Sequence, residues 1–146
     1  GKIYVSQFDN LLGQWLGYPS TTCVHQPTCG QSLVAEANGD VYACDHFVYP
    51  EYKMGNLTQQ PLTEIVLSSR QQQFGLEKSQ KLTALCRHSE FRKLCYGGCP
   101  KHRFVSLENE PNPHNYLCAS YRYFFKKTAL YMQAMARQIR LHTSDA

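Results

Sequence analysis

The chain has 146 residues, 42% of them hydrophobic, and carries a net charge of +4. That length is enough to bury one core, and no stretch approaches the roughly 20 uninterrupted apolar residues of a membrane span, so a membrane partner is not expected. The positive charges lie mostly among acidic residues rather than along a dense basic stripe, so nucleic acid is not expected as a partner either.

The chain opens on a strand-like run, Gly1 to Val5, with no signal peptide. We therefore expect it to be a piece of a longer, cytoplasmic protein. From Val5 to Trp15 the apolar residues recur at helical spacing, which predicts a short amphipathic helix that ends near Gly17. The first cysteines, Cys23 and Cys29, follow in a predicted loop.

A β-hairpin is predicted over about residues 31–44. Asn38-Gly39 separates two strand-like runs, and both of these residues tolerate the positive φ of a tight hairpin turn. Such a hairpin would bring Cys29 and Cys44, which lie at its two open ends, close together.

The rest of the chain is predicted to be mostly helical. A loop is expected over residues 49–56, a helix over residues 61–74, and a second cysteine-rich loop from Cys86 to Cys99. Apolar residues at helical spacing then predict a long helix over about residues 119–140. The predicted fold class is α+β: one small β-hairpin plus helices around two cysteine-ligated sites, with a long C-terminal helix.

The seven cysteines are the most informative feature of the composition. Their odd number and the lack of a secretory signal argue against a disulfide framework. In a reducing compartment, clustered thiolates more often bind a metal or a cluster. Iron–sulfur clusters need four thiolates from separate segments. Zinc stays open because histidines lie near the cysteines, although no paired Cys-x2-Cys knuckle of a zinc ribbon is intact.

Four short strings carry a resemblance to a known family: Ala43-Cys44-Asp45-His46-Phe47, Gly55-Asn56-Leu57, Cys95-Tyr96-Gly97-Gly98-Cys99-Pro100-Lys101 and Asn115-Tyr116-Leu117-Cys118. They resemble the SPASM domain, which carries two auxiliary [4Fe–4S] clusters in radical-SAM peptide-modifying enzymes. Within that group the chain looks most like the anaerobic sulfatase-maturating enzymes. The resemblance implies that residues 1–20 are the tail end of a radical-SAM core and residues 21–146 an auxiliary cluster domain.

The resemblance also divides the cysteines into two ligand sets. The first set is Cys23, Cys29, Cys44 and Cys99, and the second is Cys86, Cys95 and Cys118. The fourth cysteine of the second site falls on Ser89 here, and a hydroxyl is a far poorer iron ligand than a thiolate. We therefore expect lower iron occupancy there, or zinc, a disulfide or an empty site, with a water, His88 or a [3Fe–4S] cluster as alternatives to ligation by Ser89.

The implied reaction belongs to the whole enzyme. A radical made from S-adenosylmethionine in the radical-SAM core takes a β-hydrogen from a Cys or Ser of an unfolded sulfatase segment, and loss of an electron and a proton then gives Cα-formylglycine. An auxiliary cluster is the implied electron acceptor and Asp45 the implied general base. From the residues alone, the preferred interpretation is that Asp45 caps the end of the hairpin or orients a backbone amide.

The Cys-x3-Cys-x2-Cys motif of a radical-SAM core is absent from this sequence. The chain alone should therefore be inactive, with its own core and the sulfatase segment as partners. Two other functions remain open: maturation of another peptide by the same kind of domain, and a zinc-stabilised interaction module. Aerobically made protein could also carry zinc in place of clusters.

Overall fold

The computed structural model describes residues 3–30 and 32–144, and its fold is α+β, as the sequence predicts. Its helices are α1 (Ser6–Leu16), α2 (Leu62–Leu67), α3 (Ser69–Gln80), α4 (Ala84–Arg87), α5 (Arg92–Cys95) and α6 (Cys118–Ser144). Residues 3–5 form no strand, and the rest of the predicted opening strand, like Gln31 of the predicted hairpin, lies outside the described residues. As far as the structure describes them, none of the helices combines the length and apolar character needed to cross a bilayer.

Two small antiparallel sheets connect the helices. The first has the order β1 (Val34–Ala35), β2 (Asp40–Tyr42) and β3 (Lys53–Asn56), and the second pairs β4 (Arg103–Val105) with β5 (His114–Asn115). β1 and β2 form the predicted hairpin. Its turn is closed by the Gly39 N–H, which donates to the Glu36 carbonyl, and Gly39 has a φ of +84°.

β3 corrects the prediction of a loop over residues 49–56. The strand pairs with β2 in a register that sets Asn56 opposite Asp40, and the Asn56 amide donates to the Asp40 carboxylate at 2.7 Å. A Cβ on Gly55 would lie 2.9 Å from the Ile65 side chain, so α2 packs directly on the backbone of this strand. Because this packing requires glycine at position 55, residues 53–56 lack the apolar alternation that would have predicted a strand.

The predicted helix over residues 61–74 is two helices. The chain leaves helical geometry at Ser68, whose ψ is 145°, and the Ser68 hydroxyl accepts a hydrogen bond from the Gln71 N–H at 3.2 Å. Ser68 is therefore the N-cap of α3, and a side-chain cap of this kind favours a new helix over continuation of the old one. The predicted loop from Cys86 to Cys99 likewise contains short helices, α4 and α5.

The main core forms where α6 packs against α1 and α5. Its buried members are Leu11, Phe91, Leu94, Phe125 and Met132. Phe125 is 1% exposed, and burial of such a ring stabilises the fold by about 1.5–3 kcal/mol. This core fixes α1, α5 and α6 relative to one another, and with them Cys95 and Cys118 at two helix ends.

Candidate metal centre

The first cavity, of about 260 Å³, is lined by all four cysteines of the first predicted set: Cys23, Cys29, Cys44 and Cys99. They reach it from four separate segments, which are a 3-10 turn, the following loop, the end of β2 and the loop after α5. The structure thus brings Cys99 to the first set, although Cys95, only four residues earlier, lines a different cavity.

Helix α3 holds the loops of the first cavity in place. The Cys29 N–H donates to the Gly75 carbonyl at 3.1 Å, and a Cβ on Gly75 would lie 2.6 Å from the Cys29 carbonyl oxygen. One turn earlier, the buried Gln71 amide donates to the carbonyls of Gly30, at 2.9 Å, and Ala43, at 3.3 Å. Because these two residues adjoin Cys29 and Cys44, one side chain ties the open ends of the hairpin together.

The approach to Cys99 depends on two glycines. Gly97 and Gly98 have φ values of +74° and +65°, a region that favours glycine. The Asn115 amide donates to the Gly97 carbonyl at 2.9 Å and anchors the turn. Cys99 itself is buried, and its sulfur lies 3.6 Å from the His46 ring nitrogen Nδ1.

The second cavity, of about 20 Å³, is lined by the whole second set: Cys86, Ser89, Cys95 and Cys118. Cys86 lies in α4, which is capped by the Thr83 hydroxyl. The Ser89 hydroxyl lies in the same lining and accepts a hydrogen bond from the Phe91 N–H at 3.2 Å. Ser89 therefore occupies the position that the sequence analysis gave it, with its oxygen already engaged by the backbone.

Asp45 adjoins the first cavity, and its electrostatics are distinct from those of the thiols. Its carboxylate is exposed and accepts a hydrogen bond from the Cys44 thiol at 3.0 Å. That hydrogen bond is the largest cause of a lowered pKa for Asp45, so the group is ionised at neutral pH. Burial, together with the same hydrogen bond, raises the pKa of Cys44 to about 12.

The spacing of the sulfurs bears on the kind of group that the cavities fit. Among the described residues, Cys44, Asp45 and His46 are the one set of three or more candidate ligands whose atoms all lie within 4.8 Å of one another. A tetrahedral zinc site with Zn–S bonds of about 2.3 Å would place its sulfurs about 3.8 Å apart. No three cysteine sulfurs in the described chain meet that spacing, so neither set is gathered as tightly as a single zinc ion would hold it.

Two cations lie near these cavities, and of these Lys78 was not predicted from the sequence. Lys78 is 1% exposed, and its ammonium group donates to the carbonyls of Cys23 and Val24. Arg103 donates to several backbone carbonyls between and beside the cysteine loops. A signal for Lys78 existed, since Gln71, Gly75 and Lys78 are spaced four and three residues apart and so share one face of α3.

The chain is similar to a known domain family and to proteins of known activity. The model of SPASM, described as an iron–sulfur cluster-binding domain, matches residues 23–90. The chain is 42% identical over 139 residues to a serine-type anaerobic sulfatase-maturating enzyme of Bacteroides thetaiotaomicron, covering 95% of this chain and 34% of that protein. It is 32% identical over 125 residues to a cysteine-type anaerobic sulfatase-maturating enzyme of Clostridium perfringens, covering 86% of this chain and 33% of that protein.

The fold is also similar to that of solved structures. Native anSMEcpe with bound AdoMet and Kp18Cys peptide superposes with a TM-score of 0.77 at 30% identity, over 93% of this chain and 37% of that one. The chain thus spans about a third of the length of the proteins that it matches.

Proposed function

Since the chain belongs to the SPASM family of iron–sulfur cluster-binding domains, we propose that it holds two auxiliary clusters for a radical-SAM enzyme that matures sulfatases. The observation that carries the proposal is the division of the ligands. Each set lines a cavity of its own, with four thiols around one and three thiols and a hydroxyl around the other. Four thiolates from separate segments are the donor set of a [4Fe–4S] cluster.

The donor chemistry fits clusters better than single ions. Thiolates are soft ligands that suit iron–sulfur clusters and zinc alike, but the first cavity, of about 260 Å³, has room for the larger group. The second cavity, of about 20 Å³, has room for about one water and must widen to admit a cluster, and Ser89 offers it an oxygen in place of a fourth sulfur. We therefore assign the complete cluster to the first cavity and a more weakly held one to the second. Thiolate-ligated clusters also need a reducing compartment, so we place the protein in the cytoplasm.

A cluster bound in the first cavity would supply an electron acceptor for the oxidation of a Cys or Ser side chain. The residues of this chain supply the other requirement, which is a base for the proton. Asp45 lines the cavity, is exposed to an incoming peptide, and is ionised at neutral pH. Those are the properties that a general base needs before it takes a proton from substrate.

The substrate is proposed to be an unfolded sulfatase segment, and the partner a radical-SAM core on the same protein. Two features support this. The relatives are sulfatase-maturating enzymes of the serine and cysteine types, and the anSMEcpe structures contain AdoMet with a Kp18Cys or a Cp18Cys peptide. This chain has no Cys-x3-Cys-x2-Cys motif of its own, so the cleavage of AdoMet must come from residues beyond it.

Metal analysis tests the cluster assignment. Protein purified and reconstituted without oxygen should contain more than four iron and four sulfide per chain, up to about eight of each when both sites fill. About two zinc ions with no sulfide would instead indicate a zinc-stabilised interaction module. Incubation of a full-length protein that includes the radical-SAM core with AdoMet and a Cys- or Ser-containing sulfatase peptide should then yield the aldehyde, detected by mass spectrometry. No aldehyde from either peptide would overturn the assignment to sulfatases.

A further inference from the structure

Helix α3 carries a lysine whose ammonium group lies in the protein interior. Lys78 is 1% exposed, and its Nζ donates hydrogen bonds to the carbonyl oxygens of Cys23, at 2.6 Å, and Val24, at 3.0 Å. Cys23 lines the first cavity. A full positive charge is therefore fixed within a few ångströms of the backbone that presents one of the four thiols.

A second cation lies between the two cysteine sites. The Arg103 guanidinium donates to the carbonyl oxygens of Lys78, at 2.8 Å, and of Tyr96, at 3.0 Å. Tyr96 lies in the short segment between Cys95, which lines the second cavity, and Cys99, which lines the first. The guanidinium therefore touches the backbone that links the two sites, and also the helix that carries the buried lysine.

Neither cation has a carboxylate partner within the described residues. The ion pairs found there involve two other cations, Lys53 and Lys81. A buried ammonium with no counter-ion costs several kcal/mol of folding free energy, because desolvation is not offset by an opposite charge. Carbonyl oxygens supply hydrogen bonds to Lys78 but no net negative charge, so a counter-ion is needed.

The cysteine thiols that line the two cavities become negative when they bind a metal, because the thiolate is the ligand. Lys78 lies against the backbone of Cys23, in the first set. Arg103 lies against Tyr96, in the segment that links Cys95 of the second set to Cys99 of the first. The lysine thus faces the first set, and the arginine faces both.

We propose that Lys78 and Arg103 are the counter-charges of the clusters held in the two cavities, with Lys78 serving the first cluster and Arg103 both. The inference rests on the proposed function. A cluster with four thiolate ligands bears a net negative charge, and uptake of one electron adds another, so a fixed cation stabilises the reduced form more than the oxidised form. The two residues thereby raise the reduction potential and make the first cluster a better electron acceptor.

Substitutions at Lys78 separate its charge from its hydrogen bonds. Lys78→Met removes both, Lys78→Gln keeps a donor without charge, and Lys78→Arg keeps the charge. Lys81→Met is the matched control, because it removes a lysine three residues away that is exposed and paired with Glu77. Each protein is reconstituted without oxygen, its iron is counted, and its midpoint potentials are measured by dithionite titration followed by electron paramagnetic resonance.

Lys78→Met should lower the equilibrium constant for reduction of one cluster by about tenfold, which is about 59 mV for one electron. Lys78→Gln should shift it in the same direction, and Lys78→Arg and Lys81→Met should stay near the parent value. If all the proteins hold clusters at one midpoint potential, the inference is overturned and the proposed function stands. A parent protein that takes up no iron overturns both.

If Lys78→Met binds too little iron for the redox titration, unfolding in urea tests the inference instead. Without metal, the variant loses an uncompensated charge, so its urea midpoint should equal or exceed that of Lys81→Met. A loss of stability confined to the iron-loaded form supports the inference. A metal-free variant that is clearly less stable than Lys81→Met overturns it, because Lys78 would then act only as a structural hydrogen-bond donor.

Discussion

The Asp45 carboxylate accepts a hydrogen bond from the Cys44 thiol and lies exposed beside the first cavity. It forms no ion pair within the described residues, and a hydrogen bond from the His46 backbone also lowers its pKa. An exposed, ionised carboxylate at this position is available to a peptide, which fits its proposed role as the base that takes the substrate proton.

Asp45→Asn should lower the turnover of sulfatase peptide by the whole protein by about 10²-fold to 10⁴-fold, since an amide cannot accept the proton at neutral pH. Iron content should stay at the parent value because Asp45 is not one of the proposed ligands, and the Cys44 proton that it accepts leaves when the thiolate binds iron. Peptide conversion and iron are measured together. Asp9→Asn, an exposed aspartate on α1, is the control and should change neither. Full turnover by Asp45→Asn would show that another group takes the proton.

The pKa values of the cysteine thiols determine the pH range in which the two sites bind metal. Burial raises the pKa of Cys29, Cys95 and Cys118, and burial with the Asp45 hydrogen bond raises that of Cys44 to about 12. Since a metal binds the thiolate, each such proton must leave on binding, and affinity should rise with pH by about tenfold per unit for each proton released. Zinc titration of metal-free protein between about pH 7 and pH 10 against a chelator measures the slope. A profile that levels off near the ordinary thiol pKa of about 8.5 would contradict the raised pKa values.

Ser89→Cys should complete the second donor set. The side chain already lines the second cavity with Cys86, Cys95 and Cys118, and a thiolate binds iron far better than a hydroxyl. Iron after anaerobic reconstitution should rise toward about eight per chain, two full four-iron clusters. Ser106→Cys, which adds an exposed thiol outside both cavities, should leave the count unchanged. A parent that already binds eight would show that serine or a neighbour serves as the fourth ligand.

At the scale of elements, α3 determines the shape of the first cavity because it has a glycine, with no side chain, where it contacts the Cys29 loop. Gly75 has no Cβ, and the Cys29 carbonyl occupies the space where one would lie, at 2.6 Å. Real Cβ atoms do not approach backbone oxygen so closely, so any larger residue must push the Cys29 loop away from the helix.

Gly75→Ala should therefore reduce iron in the first site and leave the second site intact. Gly13→Ala is the matched control: Gly13 also lies in a helix, but nothing lies within 4 Å of its missing Cβ. That substitution should stabilise the fold by about 0.5–1 kcal/mol with unchanged iron. Iron analysis and urea unfolding of both variants test the pair. Equal iron in Gly75→Ala and the parent would show that the loop adjusts and that the glycine does not position Cys29.

Local signals in the sequence predict some of these elements well and others poorly. The positive φ values of Gly17 and Gly39 explain the end of α1 and the hairpin turn, whereas Asn38 does not take the positive φ that a two-residue Asn-Gly turn requires. β3 escapes prediction because its pairing to β2 is non-local and its backbone, at Gly55, packs on a neighbouring side chain. The break at Ser68 also has a local signal, a serine N-cap, which the apolar periodicity across it obscures.

At the scale of the whole molecule, the site depends on contacts that no local rule predicts. The grouping of Cys99 with Cys23, rather than with its near neighbour Cys95, came from the family resemblance and not from spacing. Helical spacing places Lys78 on the same face of α3 as Gln71 and Gly75, but it does not predict that the charge is buried, because a lysine on a polar helix is ordinarily solvated. The grouping of Cys99 and the burial of Lys78 both depend on the contact between α3 and the segment after α5, which are distant in the sequence.

The central proposal for the whole molecule is that the two ligand sets hold separate clusters. The most direct measurement is the iron content and Mössbauer spectrum of anaerobically reconstituted Cys99→Ala beside Cys95→Ala. We expect Cys99→Ala to lose the cluster of the first cavity and to keep the spectrum of the second, and Cys95→Ala to do the reverse. If both variants lose the same cluster, Cys95 and Cys99 serve one site and the division of the ligands is wrong.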